Sequence, residues 1–139
     1  MTPLSNNEQV MVEPLDTPSI SFTAGPYSPA VRAGDWIVCS GQIGVDPTTG
    51  VLADGLEAQV RQALSNTTAL LRDASCTWSN VAKVTCFVAA DPSAWGQINE
   101  IYAESLGDAR PARSTVGVTW LPLNALFEIE VWVYRPPSV

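Results

Sequence analysis

The sequence predicts an α+β domain in which two helices pack on one face of a single sheet. Residues 56–74 carry apolar side chains at helical spacing, and residues 92–106 do so again. The segments on either side of these helices are rich in β-branched residues, which is typical of strands. The order of elements is therefore ββ-α-β-α-ββ, and the helices and the sheet bury their apolar sides by packing together.

The chain is expected to form one domain with a short extension before it. It has 139 residues, of which 46% are hydrophobic, and its 11 Pro and 9 Gly are not clustered into a linker. Residues 1–16 carry Pro3, Pro14 and acidic side chains without periodicity, which is typical of a loose extension. Residues 17–139 form the predicted single domain.

The first strands are predicted around two turn signals. Residues 19–22 are expected to form a short strand, and residues 25–29 (GPYSP) an irregular turn, because two prolines in four positions exclude regular structure. Residues 36–45 form the next predicted strand, with a bulge or a close backbone approach at Gly41. The turn signal in residues 46–50 predicts that this strand continues as a hairpin.

The two predicted helices have recognisable beginnings and ends. Asp54 or Gly55 can cap the first helix, and Asp91 followed by Pro92 matches the N-cap and the first helical position of the second. The second helix is expected to end near Gly107. The remaining strands are predicted at residues 81–89, 113–119 and 127–134.

The last predicted strand alternates strictly between two kinds of side chain. One face is apolar, with Phe127, Ile129, Val131 and Val133, and the other carries Glu128, Glu130, Trp132 and Tyr134. The apolar face suits packing against the helices. Two large aromatic side chains on the second face indicate that this face is also covered, for example by another subunit, so an oligomer is expected.

The charge balance limits the function. The chain has 7 Lys and Arg against 14 Asp and Glu, for a net charge of −7. Neither nucleic acid nor a membrane surface is expected as a partner, because phosphate binding needs clustered cations. A small anion would instead be bound by a single well-placed arginine or by a helix N-terminus.

Several common functional features are absent from the sequence. The chain has no His, so acid–base chemistry has to use carboxylates, Tyr, Cys or bound water. Cys39, Cys76 and Cys86 are odd in number and lack CxxC spacing, which argues against a disulfide framework or a zinc site. Residues 1–9 lack the pattern of a signal peptide, and no apolar run is long enough to span a membrane, so a cytoplasmic location is expected.

Four segments resemble the signature blocks of the Rid (YjgF/RidA) family: GPYSPA at residues 25–30, SGQI at 40–43, RPARS at 110–114 and FEIE at 127–130. The resemblance implies a chorismate-mutase-like fold that assembles as a homotrimer, with three sheets forming a barrel and the sites in clefts between subunits. It also implies a hydrolase that acts as a deaminase, converting a small unsaturated enamine or imine amino acid to a ketoacid and ammonia. Neither a metal nor an organic cofactor is implied.

The resemblance assigns catalytic roles to two residues. It implies that the Arg113 guanidinium binds the substrate carboxylate, and that Glu128 positions and activates the attacking water. A planar guanidinium grips a carboxylate with two parallel hydrogen bonds, which fixes the reacting carbon. A nearby carboxylate then orients water and moves protons to nitrogen, so the chemistry needs no histidine.

Further residues are expected to border the substrate. The resemblance implies this for Tyr27, Ser40 and Gly41, and it matches Asn99 to an asparagine of the second helix. Thr115 lies where the family commonly has a Cys whose backbone helps to hold water. This departure leaves two alternatives open, which are a non-catalytic binder of small carboxylates and a biosynthetic tailoring enzyme on the same scaffold.

The substrate itself stays open between two types. One is 2-aminoacrylate or its imine, and the other is a larger 2-aminomuconate-type dicarboxylate. Trp120 and Phe127 favour the larger substrate, because they would extend the apolar contact surface of the site.

Overall fold

The computed structural model describes residues 11–138, in which seven strands form one sheet and two α-helices pack against it. The strands in chain order are β1 (Val12–Pro14), β2 (Ala30–Ala33), β3 (Trp36–Cys39), β4 (Gln42–Ile43), β5 (Val81–Val88), β6 (Ala112–Gly117) and β7 (Phe127–Tyr134). The helices are α1 (Leu56–Asp73) and α2 (Trp95–Leu106). The predicted α+β class, with helices on one sheet face, is confirmed.

The sheet has the strand order β1-β2-β3-β7-β5-β6, and β4 pairs with β7 beyond β3. Neighbouring strands are antiparallel except for β5 and β6, which are parallel. A parallel pair needs a crossover connection, and α2 supplies it. The crossover leaves β6 at the edge of the sheet.

The core lies between β7 and the helices. The predicted apolar face of β7 is confirmed, because Phe127, Ile129, Val131 and Val133 have no exposed surface. The facing residues of α1 include Val60, Leu64, Leu70 and Leu71, each at most 1% exposed. Burying a side chain of this size contributes about 1.5–3 kcal/mol to the free energy of unfolding. The opposite face of β7 leaves Trp132 and Tyr134 about half exposed in one chain.

Two buried polar side chains of α1 fix the loops near β4 and β7. Asn66 Nδ2 donates to the carbonyls of Ile43, at 3.3 Å, and Val45, at 2.8 Å. Gln59 Oε1 accepts a 2.8 Å hydrogen bond from the Leu126 backbone N–H, just before β7 begins. Buried amides are tolerated only when they are hydrogen-bonded, so these contacts specify where both strands enter the sheet.

The N-terminal part of the chain differs from its prediction in three places. Val12–Pro14 lies within the predicted loose extension yet pairs with β2, so that prediction is wrong for these residues. Strand β2 was not predicted either. Residues 19–22 are not a strand, because Ser19 is bound through its N–H and hydroxyl to the Asp73 carboxylate, at 2.9 and 2.8 Å. Residues 1–10 of the extension lie outside the described part of the chain.

The other predicted elements agree closely with the structure. The interruption at residues 40–41 separates β3 from β4, and a bridge between Val45 and Leu52 continues the hairpin. The Asp91 carboxylate accepts a 2.9 Å hydrogen bond from the Ser93 N–H in the short turn that leads into α2. Gly107, with φ of 61°, ends α2 as predicted. Gly55 occupies the N-cap position of α1 without a side-chain hydrogen bond.

None of the helices in residues 11–138 combines the length and the apolar character that crossing a membrane requires.

Candidate functional site

Arg113 lies on the edge strand β6, on the sheet face that carries the helices. It pairs with Val84 of β5, and two residues later Thr115 pairs with Cys86. Val84 and Cys86 are fully buried on the helix side. Because side chains two residues apart on a strand share a face, Arg113 and Thr115 both point toward α2.

Three residues of α2 hold the Arg113 guanidinium. Trp95, Asn99 and Tyr102 follow the spacing i, i+4, i+7, which places them on one stripe of the helix. Asn99 Oδ1 accepts a 2.8 Å hydrogen bond from Arg113 Nη2. The guanidinium carbon lies 4.6 Å from the centre of the Tyr102 ring and 5.2 Å from that of Trp95. Both distances are within the range of cation–π attraction.

The guanidinium keeps most of its hydrogen-bonding capacity. It has five N–H donors, and among the described residues Asn99 is its one hydrogen-bond partner. No carboxylate in residues 11–138 forms an ion pair with it. Arg113 is thus half-buried, fixed in orientation and able to receive an anion such as a carboxylate with two parallel hydrogen bonds.

A cleft of about 340 Å³ begins beside Arg113. Its lining residues are Val88, Ala90, Asp91, Pro92, Trp95, Ile98, Thr115, Val116 and Gly117. Within the described chain, two buried side-chain atoms lack a hydrogen-bond partner, and both belong to this region: Thr115 Oγ1 and the Tyr102 hydroxyl. Burial raises the pKa of Tyr102 to about 12, so the phenol beneath the guanidinium stays neutral.

Glu128 lies on the opposite face of the sheet from Arg113. It pairs with Phe87 of β5, and Phe87 pairs with Val116 of β6. Val116 lies three residues after Arg113, and side chains an odd number of residues apart on a strand point to opposite faces. The carboxylate is half-buried and lines a second, much smaller cavity of about 30 Å³. That cavity is lined by Ile20, Phe22, Thr23, Ala24, Tyr27, Pro29, Gly41, Gln42, Ile43, Val45, Pro122 and Glu128.

The environment of Glu128 suits a general base. Burial, and secondarily the charge of Glu130 on the same face, raise the pKa of the Glu128 carboxyl above its ordinary value. A carboxylate with a raised pKa accepts a proton more readily from an attacking water.

Gly41 makes room for the Glu128 carboxylate. A Cβ atom at Gly41 would lie 2.6 Å from Glu128 Cδ, closer than real Cβ contacts allow. The predicted close backbone approach at Gly41 is therefore confirmed, with Glu128 as the group that approaches. Tyr27 lines the same cavity, is 46% exposed, and accepts a 3.0 Å hydrogen bond at its hydroxyl from the Ala24 N–H.

Ser40 differs from its predicted neighbours. Its hydroxyl donates a 2.7 Å hydrogen bond to the Ser28 carbonyl, and its N–H donates to the Pro29 carbonyl at 2.8 Å. It is not among the residues that line either cavity. Its contacts hold the proline-rich turn that carries Tyr27 against the end of β3.

Within one chain, the predicted site residues thus fall into two groups. Arg113, Asn99 and Thr115 lie together on the helix side of the sheet, and Tyr27, Gly41 and Glu128 line a cavity on the other side. Their assignment to a single site stays a prediction, and a site that unites both groups would have to take them from two copies of the chain.

The residues that favoured a larger substrate are not in either cavity. Phe127 has no exposed surface and packs in the core on the helix side of β7. Trp120 is 71% exposed in one chain and lines neither cavity. The expectation that Phe127 enlarges the site is therefore wrong, because strand alternation sends its side chain into the core. For the exposed Trp120 it stays a prediction.

The aromatic contacts of Arg113 were not predicted. Trp95 and Tyr102 belong to the apolar side chains at helical spacing in residues 92–106, and no role beside Arg113 was predicted for them. Their helical spacing with Asn99 could have indicated these contacts, because residues on one stripe of a helix face the same neighbouring element. The influence of Glu130 on Glu128 was also missed, although neighbouring carboxylates on one strand face follow from the alternation.

The thiols do not contribute a nucleophile to either group. Cys39, Cys76 and Cys86 are free and buried. Burial raises the pKa of Cys39 to about 12 and that of Cys86 to about 11, so both stay protonated near neutral pH. Within residues 11–138, no three His, Cys, Asp or Glu side chains are grouped as a metal site requires.

Comparison with known proteins supplies the family. The family described as Endoribonuclease L-PSP matches residues 19–135. A RutC family protein of Aquifex aeolicus is 42% identical over 119 residues, which are 84% of this chain and 94% of that protein. The 2-iminobutanoate/2-iminopropanoate deaminase of Mus musculus is 36% identical over 126 residues, covering 90% of this chain and 93% of that protein.

Among solved structures, E. coli TdcF with bound serine is 31% identical and has a TM-score of 0.80, covering 88% of this chain and 98% of that one. The match thus extends over the elements that carry both residue groups. The chain belongs to the Endoribonuclease L-PSP family, which is the YjgF/RidA family that its sequence blocks resemble.

Proposed function

We propose that this chain is an imine deaminase, which hydrolyses the imine or enamine form of a small amino acid to a ketoacid and ammonia. The observation that carries the proposal is the Arg113 guanidinium, fixed by Asn99 and two aromatic rings with its remaining donors directed to no other described side chain. A mouse relative is named a deaminase of 2-iminobutanoate and 2-iminopropanoate, and E. coli TdcF binds serine. Each of these molecules carries one carboxylate.

The site is formed between copies of the chain. Arg113 and Glu128 face opposite sides of one sheet, so a single copy does not bring them to the same substrate. A homotrimer with sites between subunits places the Glu128 cavity of one copy against the Arg113 edge of the next. The half-exposed Trp36, Trp132 and Tyr134, which stack edge-on within one chain, are the surface that such an assembly buries.

The reaction needs only water and side chains. Arg113 binds the carboxylate of the imino acid and fixes its C=N carbon. The Glu128 carboxylate takes a proton from water as the oxygen attacks that carbon, and passes it to the imine nitrogen, which gives a tetrahedral carbinolamine. Glu128 then takes the proton of the new hydroxyl and gives it to the amine nitrogen as the C–N bond breaks, so the products are a ketoacid and ammonia.

A direct test uses imines generated in solution by an amino acid oxidase. Free imines also hydrolyse without an enzyme, so the assay measures the fraction of the imine that semicarbazide traps before it hydrolyses. An active deaminase lowers this trapped fraction. We expect wild type to lower it for 2-iminopropanoate and Arg113→Ala not to do so. If the protein binds ketoacids through Arg113 but accelerates the hydrolysis of no imine, it is the non-catalytic carboxylate binder instead.

A further inference from the structure

The cleft beside Arg113 is larger and more apolar than the smallest imino acids require. We propose, on the basis of the deaminase function above, that Trp95 and the cleft it borders select monocarboxylic imino acids with a branched or aromatic apolar side chain. Trp95 is thus a specificity-determining residue. The proposal concerns the group that the substrate carries beyond its carboxylate and imine.

The position of the cleft follows from the strand geometry. Thr115 lies two residues after Arg113 on the same face, which is about 7 Å along the strand. Trp95 contacts the guanidinium and also lines the cleft, so the two regions share a wall. A molecule whose carboxylate is bound by Arg113 therefore finds the cleft within the length of a short side chain.

The chemistry of the lining favours an apolar group. Apart from Gly117, six of the nine lining residues are apolar: Val88, Ala90, Pro92, Trp95, Ile98 and Val116. None of the nine described lining residues is Lys or Arg, so no cation meets a second carboxylate there. Asp91 is the one charged group in the lining, and its hydrogen bond with the Ser93 N–H lowers its pKa and keeps it ionised.

This charge pattern separates the two substrate types that the sequence left open. A 2-aminomuconate-type dicarboxylate would place its second carboxylate near Asp91, and like charges repel. A leucine-derived or phenylalanine-derived imine places only carbon in the cleft, and each buried CH₂ contributes about 0.8 kcal/mol.

A second observation points to a ligand in this cleft. Thr115 Oγ1 is buried, and apart from the weakly bonding Cys86 thiol it has no hydrogen-bond partner among the described residues. Leaving a buried hydroxyl without a partner costs about 1–3 kcal/mol, which a polar atom of a bound ligand would recover. The substrate's imine nitrogen is the polar atom that lies between its carboxylate and its side chain.

The test compares two imines, derived from leucine and from alanine, by their kcat/KM ratio. We expect wild type to favour the leucine-derived imine by about tenfold or more. Ala90→Leu, which fills part of the cleft, should lower this ratio by about tenfold. Trp95→Ala should also lower the ratio. Gln97→Ala, at an exposed position of α2 outside both cavities, is the matched control and should leave the ratio unchanged.

A binding measurement by calorimetry keeps the two proposals separate. It compares 4-methyl-2-oxopentanoate with pyruvate, which are the stable ketoacids of the same two side chains. Tighter binding of the larger ketoacid, lost in Ala90→Leu, supports the cleft assignment even if no imine is hydrolysed faster. Equal or weaker binding of the larger ketoacid, or a wild-type ratio that favours the shorter imine, would overturn the cleft assignment and leave the deaminase proposal standing.

Discussion

Asn99 on α2 accepts a 2.8 Å hydrogen bond from Arg113 on β6, and this contact joins the helix to the edge strand at the candidate site. The hydrogen bond limits rotation of the guanidinium, so its free donors point in one direction. A fixed arginine loses less conformational entropy when it binds an anion than a mobile one does.

We therefore predict that Asn99→Ala weakens substrate binding more than it slows the chemical step. Losing a hydrogen bond to a charged group costs about 1.5–3 kcal/mol, which corresponds to a rise in KM of about tenfold or more. Steady-state kinetics with 2-iminopropanoate would measure it. Gln97→Ala changes the exposed side of the same helix and is the control. An unchanged KM in Asn99→Ala would show that the contact does not position Arg113.

Arg113 itself should not be replaceable by lysine. Lysine keeps the positive charge but presents a point charge instead of two parallel donors, and it loses the planar stacking on the Tyr102 ring. We expect kcat/KM to fall by about a hundredfold in Arg113→Lys and further in Arg113→Ala. Full activity in Arg113→Lys would mean that charge alone recruits the substrate.

The pH dependence of the rate should reveal Glu128. Its carboxylate form is the base, so the rate falls as the pH drops through its pKa, which burial and Glu130 raise above the ordinary glutamate value. Glu130→Gln removes the like charge, so the acid limb should move to lower pH. Glu128→Gln should abolish both the limb and most of the rate. The profile of kcat/KM against pH for wild type and both variants measures the position of the acid limb. An acid limb at the same pH in wild type and Glu130→Gln would contradict the assignment of the limb to Glu128.

Gly41→Ala should displace the Glu128 carboxylate. The added methyl would lie 2.6 Å from Glu128 Cδ, so the carboxylate has to move. Because a displacement of about 1 Å in a catalytic group costs on the order of a hundredfold, we expect a loss of kcat of that size. Gly96→Ala adds a methyl to α2 where nothing lies within 4 Å, and it should leave kcat unchanged. In a Glu128→Gln background, Gly41→Ala should cause little further loss.

The shared site predicts complementation between two inactive variants. Arg113→Ala and Glu128→Gln chains that are unfolded and refolded together should regain up to about a quarter of wild-type activity, because some interfaces then combine two intact residues. Light scattering should give a mass near three times 14.8 kDa. Separate refolding of each variant is the control. If trimers that are shown to contain both variants recover no activity, Arg113 and Glu128 of the same chain would have to serve the same site.

The sequence was sufficient wherever a local pattern carried the information. Phe127–Tyr134 was predicted to the residue because its alternation is strict, and Gly107 marked the end of the second helix. Asp91 caps the short turn before that helix, which itself begins three residues later than predicted, at Trp95. Strands β1 and β2 were missed because they are held by pairing with each other and with β3, and no alternation marks them. Partners that are distant in sequence leave no local trace.

The candidate site shows the same division. The signature blocks led to Arg113, Glu128 and Gly41, and the structure places Gly41 against Glu128. That Arg113 and Glu128 face opposite sides follows only from the register of β5 with both of its neighbours. The role of Phe127 was misjudged because its size was considered without its direction on the strand.

The position of Arg113 on an edge strand has a consequence for how the protein responds to dilution. Strand β6 ends the sheet, and the backbone groups on its outer side have no neighbouring strand in one chain. If subunits cover this edge, folding and assembly are linked by mass action, and the melting temperature should rise with protein concentration. Activity per chain should then fall at nanomolar concentrations, where the subunits separate and each retains an arginine without its glutamate.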